Sequence, residues 1–216
     1  MGFLAIFYMK TDIKQDLIQQ QVKDFIASTQ KTIGDFCNNQ QIFCMVSDAV
    51  DVICACRGKI ITTGMGKAGY AAEKAASSFS SLGMAACYLH PAQASHGDSG
   101  IIQNGDVMLA LSNSGKTREV IETIELSKHL GIAKVISITS HDESPVKDLS
   151  DVIISMGPIQ EAGHLAIAPT TSIIMMLIIS DMIATISAER RGLTLAEFGL
   201  RHHGGYLGKK CRGEEN

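Results

Sequence analysis

The sequence has few charged residues and no long run of Lys or Arg. Only 19% of its 216 residues are charged, and the formal net charge is −3. This composition offers no basic surface to nucleic acid or to an anionic membrane, so we expect neither as a partner. With 45% hydrophobic residues, the chain is long enough for one sizeable core and too short for two. A small ligand is the better expectation.

The six cysteines lack the paired CxxC spacing that a structural zinc site usually needs. They are scattered through apolar segments, so we interpret them as reduced thiols of a cytoplasmic protein. Cys54 and Cys56 lie near the predicted end of a helix, where small buried residues are common. We assign them no redox role.

The first residues lack the features of a targeting signal. The apolar stretch at residues 2–8 follows no basic residue and precedes no small-residue cleavage site. It is also too short to span a bilayer. We therefore expect neither export nor a membrane anchor.

Apolar residues at three- and four-residue spacing predict an amphipathic helix over residues 11–32. A second helix with the same spacing should end near residues 57–58, where a glycine can close it. We treat residues 1–40 as an N-terminal helical segment and residues 41–210 as the main domain.

From residue 59 the pattern changes to short β-rich runs, most of them followed by a turn and a helix. Several runs are continuously apolar, which is typical of a parallel sheet covered on both faces. We therefore predict an α/β fold with a doubly wound, five-stranded parallel sheet flanked by helices. The candidate strands are at residues 59–63, 84–89, 107–111, 135–138 and 152–154.

The last part of the chain is predicted to be helical. A long apolar helix over about residues 170–191 contains Ser180 and Asp181, so it is more typical of a buried or interface helix than of a membrane span. A short helix near residues 195–200 leads into a glycine-rich tail at residues 201–208, whose composition is typical of a turn.

The strongest functional signal is the turn Ser112-Asn113-Ser114-Gly115-Lys116-Thr117, between a predicted buried strand and a helix. Free backbone amides and the positive end of the helix dipole favour an anion there. The hydroxyls of Ser112, Ser114 and Thr117 add donors, so we predict a phosphate cradle that includes Asn113. The alternative is that these residues only cap the helix.

A second glycine-rich turn, Gly64-Met65-Gly66-Lys67, also joins a predicted strand to a helix. Its Lys67 can hold a substrate hydroxyl or a developing oxyanion, or it is simply a solvated lysine at a loop edge. A dinucleotide site is disfavoured because Tyr70 stands where the third glycine of that motif is needed. In open α/β sheets, ligands bind beyond the carboxyl ends of the strands, so the two turns and the loop at residues 90–100 should be neighbours.

Other residues with suitable chemistry are more scattered. His90 and His96 follow a predicted strand and can titrate near neutrality or bind a divalent metal, but their spacing is not a metal motif. Glu119 lies one turn into the helix after the cradle, and Glu161 follows the last strand. Taken singly, such glutamates are usually solvated or capping residues.

Read together, these segments resemble the SIS (sugar isomerase) domain, and more narrowly the arabinose 5-phosphate isomerases, from about residue 40 to 210. Residues 41–210 would then be a phosphosugar-binding SIS domain. The motifs that carry the resemblance are Gly64-Met65-Gly66-Lys67, His90-Pro91, His96-Gly97-Asp98, Ser112-Asn113-Ser114-Gly115, Ala168-Pro169-Thr170-Thr171-Ser172, and His202 with Gly204-Gly205.

The resemblance implies a cytoplasmic enzyme that interconverts D-ribulose 5-phosphate and D-arabinose 5-phosphate for Kdo or capsule biosynthesis, without a cofactor. It also implies a homodimer or homotetramer with active sites shared between subunits. Many family members carry two CBS modules after the SIS domain, and we expect none in this chain.

The resemblance further links four residues to catalysis, namely Lys67, Glu119, Glu161 and His202. Our hypothesis is that Glu161 or Glu119 is the base, that Lys67 stabilises an oxyanion or positions hydroxyls, and that His202 of a neighbouring subunit assists ring opening or proton transfer. The resemblance marks two further positions. It implies substrate contacts for His90 and His96. An inhibitory rather than catalytic zinc is associated with the His90 position.

Four departures from the family pattern bear on which sugar is used. Gln93 replaces a glutamate between the two histidines, and Tyr70 replaces a histidine. Gly163-His164 replaces a Cys-Pro pair, and His203 stands in the His-Pro-Gly-Gly motif where proline is common. An isomerase for another phosphosugar, or a non-catalytic sugar-phosphate sensor, therefore remains an alternative.

Overall fold

The structure, a computed structural model, describes residues 2–214, with side chains from residue 15 onward. The side chains of the apolar stretch at residues 2–8 lie outside this described part. In chain order the elements are α1 Gly2–Asn38, α2 Gln41–Ala55, β1 Ile60–Gly64, α3 Lys67–Ser81, β2 Ala86–Tyr88, α4 Pro91–Ala94, a 3-10 helix Asp98–Ile101, β3 Val107–Leu111, α5 Arg118–His129, β4 Lys134–Thr139, α6 Pro145–Leu149, β5 Val152–Ser155, α7 Thr171–Arg190, α8 Leu195–Arg201 and α9 Gly205–Cys211.

The five strands form one parallel sheet in the order β2-β1-β3-β4-β5. The chain goes outward from β1 to β2, returns past β1 to β3, and continues outward to β5. The predicted doubly wound sheet is therefore confirmed. Gly64, the last residue of β1, pairs with Leu111, the last residue of β3. The winding reverses between these two strands, which is where such sheets form a ligand crevice.

The continuously apolar strands are explained by two buried faces. Successive side chains of a strand point to opposite faces of the sheet. Leu109 and Leu111 of β3 pack in the core that contains α2, α3 and α7. Met108 and Ala110 belong to the other core, with α4, α5 and α6. Full burial of such a large aliphatic side chain contributes about 1.5–3 kcal/mol, so the two cores hold the sheet in register.

Helix α7 is long and apolar enough to cross a membrane by length and composition alone. In this fold it packs against α2 and α3, and Met175, Ile179 and Ile183 are fully buried. Its Asp181 accepts hydrogen bonds from Lys74 and Ser78 of α3. The helix is therefore part of the core, and its polar residues serve contacts with a neighbouring helix.

The glycine-rich tail differs from its prediction as a turn, because Gly205–Cys211 forms helix α9. Glycine lowers helix propensity, but packing between helices can outweigh this preference. A Cβ atom at Gly208 would lie 2.0 Å from the carbonyl oxygen of His202. Only glycine allows α9 to approach the end of α8 so closely.

Helix α1 extends the helix predicted at residues 11–32 in both directions. Near its end Ile33 and Phe36 pack in the core, whereas the apolar side chains of residues 17–26 are largely exposed. The side chain of Ile13 lies outside the described part. A contiguous exposed apolar face on a helix is a mark of an interaction surface. The exposed apolar side chains, at 39–59% of their full accessibility, are Leu17, Ile18, Val22, Phe25 and Ile26.

Candidate active site

A cavity of about 200 Å³ opens at the carboxyl ends of β1 and β3, where the winding of the sheet reverses. Three helices, α3, α5 and α7, begin at its walls. The positive ends of their dipoles therefore meet at one small space. Five of the predicted site residues line it, namely Lys67, Ser112, Asn113, Ser114 and Thr117.

The turn after β3 is held in its tight shape by Gly115. This residue has a φ of +60°, and its amide donates a 3.1 Å hydrogen bond to the carbonyl of Ser112. A Cβ atom here would lie 2.0 Å from Ser144 Oγ. Both the left-handed backbone and the close approach require glycine.

The hydroxyls of the turn do not serve as simple helix caps. Thr117 is the N-cap residue of α5, but its hydroxyl makes no capping bond to the first turn, all of whose residues are described. It accepts a 3.2 Å hydrogen bond from Ser112 Oγ instead. Ser114 Oγ accepts a 3.2 Å bond from the Lys116 amide. The capping alternative therefore does not describe Thr117, and the phosphate cradle stays a prediction.

Asn113 anchors the cradle to the loop after β4. Its backbone carbonyl accepts hydrogen bonds of 3.0 Å from the Ser140 amide and from His141 Nδ1. Its side-chain oxygen accepts a bond from the Ser140 hydroxyl. The side chain of Asn113 is therefore used to fix the turn.

Lys67 is the first residue of α3 and lines the same cavity as the cradle. Its side chain is exposed at the cavity wall. A lysine so placed can reach a ligand whose anionic end lies at the start of α5.

Glu161 lies beside the cavity rather than in its lining. Its carboxylate accepts hydrogen bonds from the amides of Thr170, at 2.8 Å, and Ser172, at 3.1 Å. Partial burial would raise the pKa of Glu161, but hydrogen bonding from Ser172 and Thr170 outweighs it and holds the pKa below its usual value. The group is a fixed carboxylate that caps α7.

The remaining glutamate and the two loop histidines lie outside the cavity lining. Glu119 is exposed on the first turn of α5. His90 Nδ1 accepts a 3.2 Å bond from the Ala92 amide and so caps α4. His96 is exposed in the loop after α4. In the part of the chain that the structure describes, no group of three or more His, Cys, Asp or Glu is placed to hold a metal, so zinc at His90 stays a prediction.

His202 is not brought to the cavity by the fold of a single chain. It ends α8, where its Nδ1 donates a 2.9 Å bond to the carbonyl of Phe198 and its ring stacks on the Phe198 ring. The neighbouring Arg201 packs over Gly83, which precedes β2. That places His202 towards the amino edge of the sheet, whereas the cavity opens at the carboxyl edge.

Comparison with known proteins identifies the family. The SIS domain family profile matches residues 53–186. The chain belongs to the SIS domain family. The arabinose 5-phosphate isomerase KdsD of Pseudomonas aeruginosa is 39% identical over 192 residues, which cover 87% of this chain and 59% of that relative. The chain thus spans less than two thirds of this curated relative's length.

Two solved structures share both the fold and considerable sequence with this SIS domain. The Escherichia coli CFT073 protein c3406, in complex with A5P, is 31% identical with a TM-score of 0.81, over 87% of this chain and 98% of that one. A Bacteroides fragilis protein, named as a candidate phosphosugar isomerase involved in capsule formation, is 36% identical with a TM-score of 0.73. The alignment covers 91% of this chain and 99% of the B. fragilis chain. The five-stranded sheet is therefore shared with phosphosugar-binding relatives.

Residues at the start of α7 complete the cavity of this SIS domain and were not predicted as site residues. Pro169, Ser172 and Ile173 line it together with the cradle residues. The sequence Thr170-Thr171-Ser172, which follows Pro169, could have indicated these residues, because it places hydroxyls at the start of a helix as the cradle does.

Proposed function

We propose that this SIS domain interconverts D-ribulose 5-phosphate and D-arabinose 5-phosphate. The observation that carries the proposal is the cavity at the strand reversal, where a hydroxyl-rich turn at the start of α5 faces Lys67. The chain is similar to KdsD arabinose 5-phosphate isomerases and to a protein solved with A5P, and this similarity supports the choice of arabinose 5-phosphate among the phosphosugars.

The phosphate would lie at the start of α5. Free amides of the first helical turn, the helix dipole and the hydroxyls of Ser114 and Thr117 all favour a dianion there. Ser112 holds Thr117 through the bond between their hydroxyls. The sugar chain would then extend from the cradle past Lys67.

The reaction moves one proton between two adjacent carbons. A base removes the proton from C2 of the open-chain aldose, the C–H electrons form the C1–C2 double bond of an enediolate, and the carbonyl electrons pass to the C1 oxygen. A proton then returns to C1, and the proton of the C2 hydroxyl is transferred to the C1 oxygen as the C2 carbonyl of the ketose forms. No net oxidation occurs. Lys67 would stabilise the negative charge on the enediolate oxygen. Electrostatic stabilisation of this kind is usually the largest single contribution to the rate enhancement.

Two glutamates are candidates for the base, and their surroundings differ. Glu161 is fixed by two backbone amides, and its lowered pKa makes it a weaker proton acceptor. Glu119 is exposed and its carboxylate can move towards a ligand in the cradle. Either can serve, and Glu161 would need the substrate to approach the start of α7.

We further propose a homo-oligomer, a dimer or a tetramer, whose sites are shared between copies. The apolar face of α1 supports a second copy as its cover, as do the exposed Leu195, Leu200 and Tyr206 of the C-terminal helices. A neighbouring copy would also supply His202, which its own chain keeps away from the cavity. The enzyme would be cytoplasmic and would feed Kdo or capsule biosynthesis.

The test is turnover of a panel of pentose and hexose phosphates by the wild type and four single variants. Lys67→Ala, Glu119→Ala, Glu161→Ala and His202→Ala should each lower kcat, with a loss of about 100-fold or more for Lys67→Ala. Wild-type turnover in all four would overturn the roles. Ligand-induced stabilisation without turnover of any sugar phosphate would show a sensor instead.

A further inference from the structure

Ser172 has a buried hydroxyl at the wall of the cavity. The residue is 0% exposed. Its Oγ has no partner with good hydrogen-bond geometry among residues 15–214, and the one group that it lies close enough to influence is the Glu161 carboxylate, whose pKa it helps to lower. The residue nevertheless lines the same small cavity as Lys67 and Thr117. Ser172 is therefore sealed from bulk solvent and borders the space where a ligand would lie.

A buried hydroxyl without a partner destabilises the folded chain, because it has lost its hydrogen bonds to water. The cost is about 1–3 kcal/mol. Such groups in native proteins call for an explanation, and a missing ligand is one. A ligand hydroxyl in the cavity would supply a partner for the lone pairs that Glu161 leaves free.

The surroundings of Ser172 identify which part of a sugar phosphate it meets. The amides of Thr170 and Ser172, at the positive end of α7, are already bonded to the Glu161 carboxylate. A phosphate dianion at this wall would face that carboxylate and be repelled. The cradle at α5 has no such carboxylate cap. The wall at Ser172 therefore suits a neutral polar group.

Its contact with Glu161 leaves the Ser172 hydroxyl able to accept a hydrogen bond from a ligand. The hydroxyl lies near the carboxylate and helps to hold the pKa of Glu161 low. A hydroxyl has one donor and two acceptor lone pairs. Even with its proton turned towards Glu161, Ser172 Oγ keeps lone pairs for a hydroxyl donor in the cavity.

We propose that Ser172 is a specificity residue that hydrogen-bonds a hydroxyl of the sugar chain, and that Glu161 is the positioning residue that fixes it. The proposal rests on the proposed function, because it assumes a phosphosugar with its phosphate at the α5 cradle. It divides the cavity into a phosphate wall at residues 112–117 and a sugar wall at Ser172.

The test measures the dissociation constants of two probes by calorimetry. Inorganic phosphate reports on the cradle alone. D-arabinitol 5-phosphate adds a chain of hydroxyls but has no carbonyl, so it cannot isomerise. Three variants are compared: Ser172→Ala, Thr117→Ala in the cradle, and Ser187→Ala as the matched control. Ser187 is on the same helix, equally buried, and its hydroxyl likewise has no partner among the described residues.

Ser172→Ala should bind the alditol phosphate about three- to tenfold more weakly, which is the value of one neutral hydrogen bond, and should bind inorganic phosphate as the wild type does. Thr117→Ala should weaken both probes, and Ser187→Ala neither. Ser172→Cys, which keeps the side-chain volume but hydrogen-bonds weakly, should reproduce the pattern of Ser172→Ala.

Equal weakening of both probes by Ser172→Ala would place Ser172 in the phosphate cradle and overturn the proposal. Unchanged binding of both probes would overturn it as well. Retained phosphate binding shows that the variant is folded. Failure of the proposed function looks different, because the wild type would then bind neither probe or turn over no sugar phosphate.

Discussion

The amide of Thr170 donates a 2.8 Å hydrogen bond to the carboxylate of Glu161. The amide of Ala162 in turn donates a 2.9 Å bond to the hydroxyl of Thr170. These two bonds close the exposed loop that leads into α7. A residue that the family resemblance assigns to catalysis therefore has a structural role as well, and the two roles can be separated by substitution.

Two substitutions of Glu161 should distinguish its role as the cap of α7 from the role of its negative charge in proton transfer. Glu161→Ala removes the cap of α7 and should lower the free energy of unfolding by about 1–2 kcal/mol, measured by urea denaturation. Glu161→Gln keeps an oxygen that can accept the amide bonds, so it should retain part of the stability while losing the charge needed for proton transfer. Equal stability of the alanine variant and the wild type would contradict the cap.

The lowered pKa of the Glu161 carboxylate predicts that the stability of the fold depends on pH. Its pKa is lower in the folded state than the usual value of 4.5, so its contribution to stability is present above the usual pKa and is lost as pH falls through the lowered folded pKa. The stability advantage of the wild type over Glu161→Gln should shrink in this acid range. Parallel stability profiles of the two proteins would show that the charge of Glu161 does not stabilise the fold.

Gly115 is predicted to be essential to the cradle. Gly115→Ala forces an L-residue into a left-handed backbone, at a cost of about 1–2 kcal/mol, and places its Cβ against Ser144 Oγ. Stability should fall, and KM for the sugar phosphate should rise by about tenfold or more, since the turn that we propose to hold the phosphate must shift.

A matched control is Gly131→Ala, after α5. Gly131 has a φ of +90°, but a Cβ there meets nothing within 4 Å. It should lose a similar amount of stability from the backbone alone while KM stays unchanged. If both variants raised KM equally, the effect would come from general destabilisation rather than from the cradle.

The turn at residues 112–117 could be predicted to lie at a ligand crevice because its signals are local. A buried strand, a hydroxyl-rich turn with Gly115 and the start of a helix are adjacent in the chain, and the parallel sheet then fixes which edge the turn occupies. The continuous apolar strands predicted two covered faces, which both cores confirm. For the same reason the turn that carries Lys67 could be expected beside the cradle, and both line one cavity.

What could not be predicted depends on contacts between distant segments. Ser172 reaches the cavity because α7 packs against α3, more than 90 residues earlier in the chain. The helix at Gly205–Cys211 depends on a close approach to α8 that outweighs the low helix propensity of its glycines. The position of His202 depends on where α8 lies on the sheet, which no local pattern encodes.

The ion pair of Lys59 and Asp106 should contribute more to stability than the pairs on the surface. The Asp106 side chain is 1% exposed and accepts bonds from Lys59 Nζ at 2.6 Å and from the amides of Lys59 and Gln103, both at 2.8 Å. It ties the start of β1 to the turn before β3. Asp106→Ala should cost about 3 kcal/mol, because it leaves a half-buried charge and two amides unpaired.

The control for this prediction is Asp151→Ala. Asp151 has the same kind of partners, a lysine side chain and a strand amide, Lys134 Nζ and the amide of Val135. Its ion pair is far more exposed, so the cost should be about 1 kcal/mol or less. Urea denaturation of both variants measures the difference. Similar losses would mean that burial of Asp106 adds nothing to the pair.

Sharing of active sites between copies can be tested by mixing inactive subunits. Lys67 lines the cavity of its own chain, whereas His202 lies towards the other edge of the sheet. If a neighbouring copy supplies His202, co-expression of Lys67→Ala with His202→Ala creates some sites that contain both native side chains. If copies pair at random as symmetric dimers, about half of the dimers contain both variants, and one of the two sites in each of these is native. The mixture should therefore show about a quarter of the wild-type rate.

The matched control mixes Lys67→Ala with Thr117→Ala. Both residues line the cavity of one chain, so no arrangement of the two subunits rebuilds a native site, and activity should stay at the level of the variants. Recovery in the first mixture and not in the second would show that a site takes Lys67 and Thr117 from one copy and His202 from another. No recovery in the first mixture, with mixed oligomers demonstrated by two affinity tags, would rule out this division of the site.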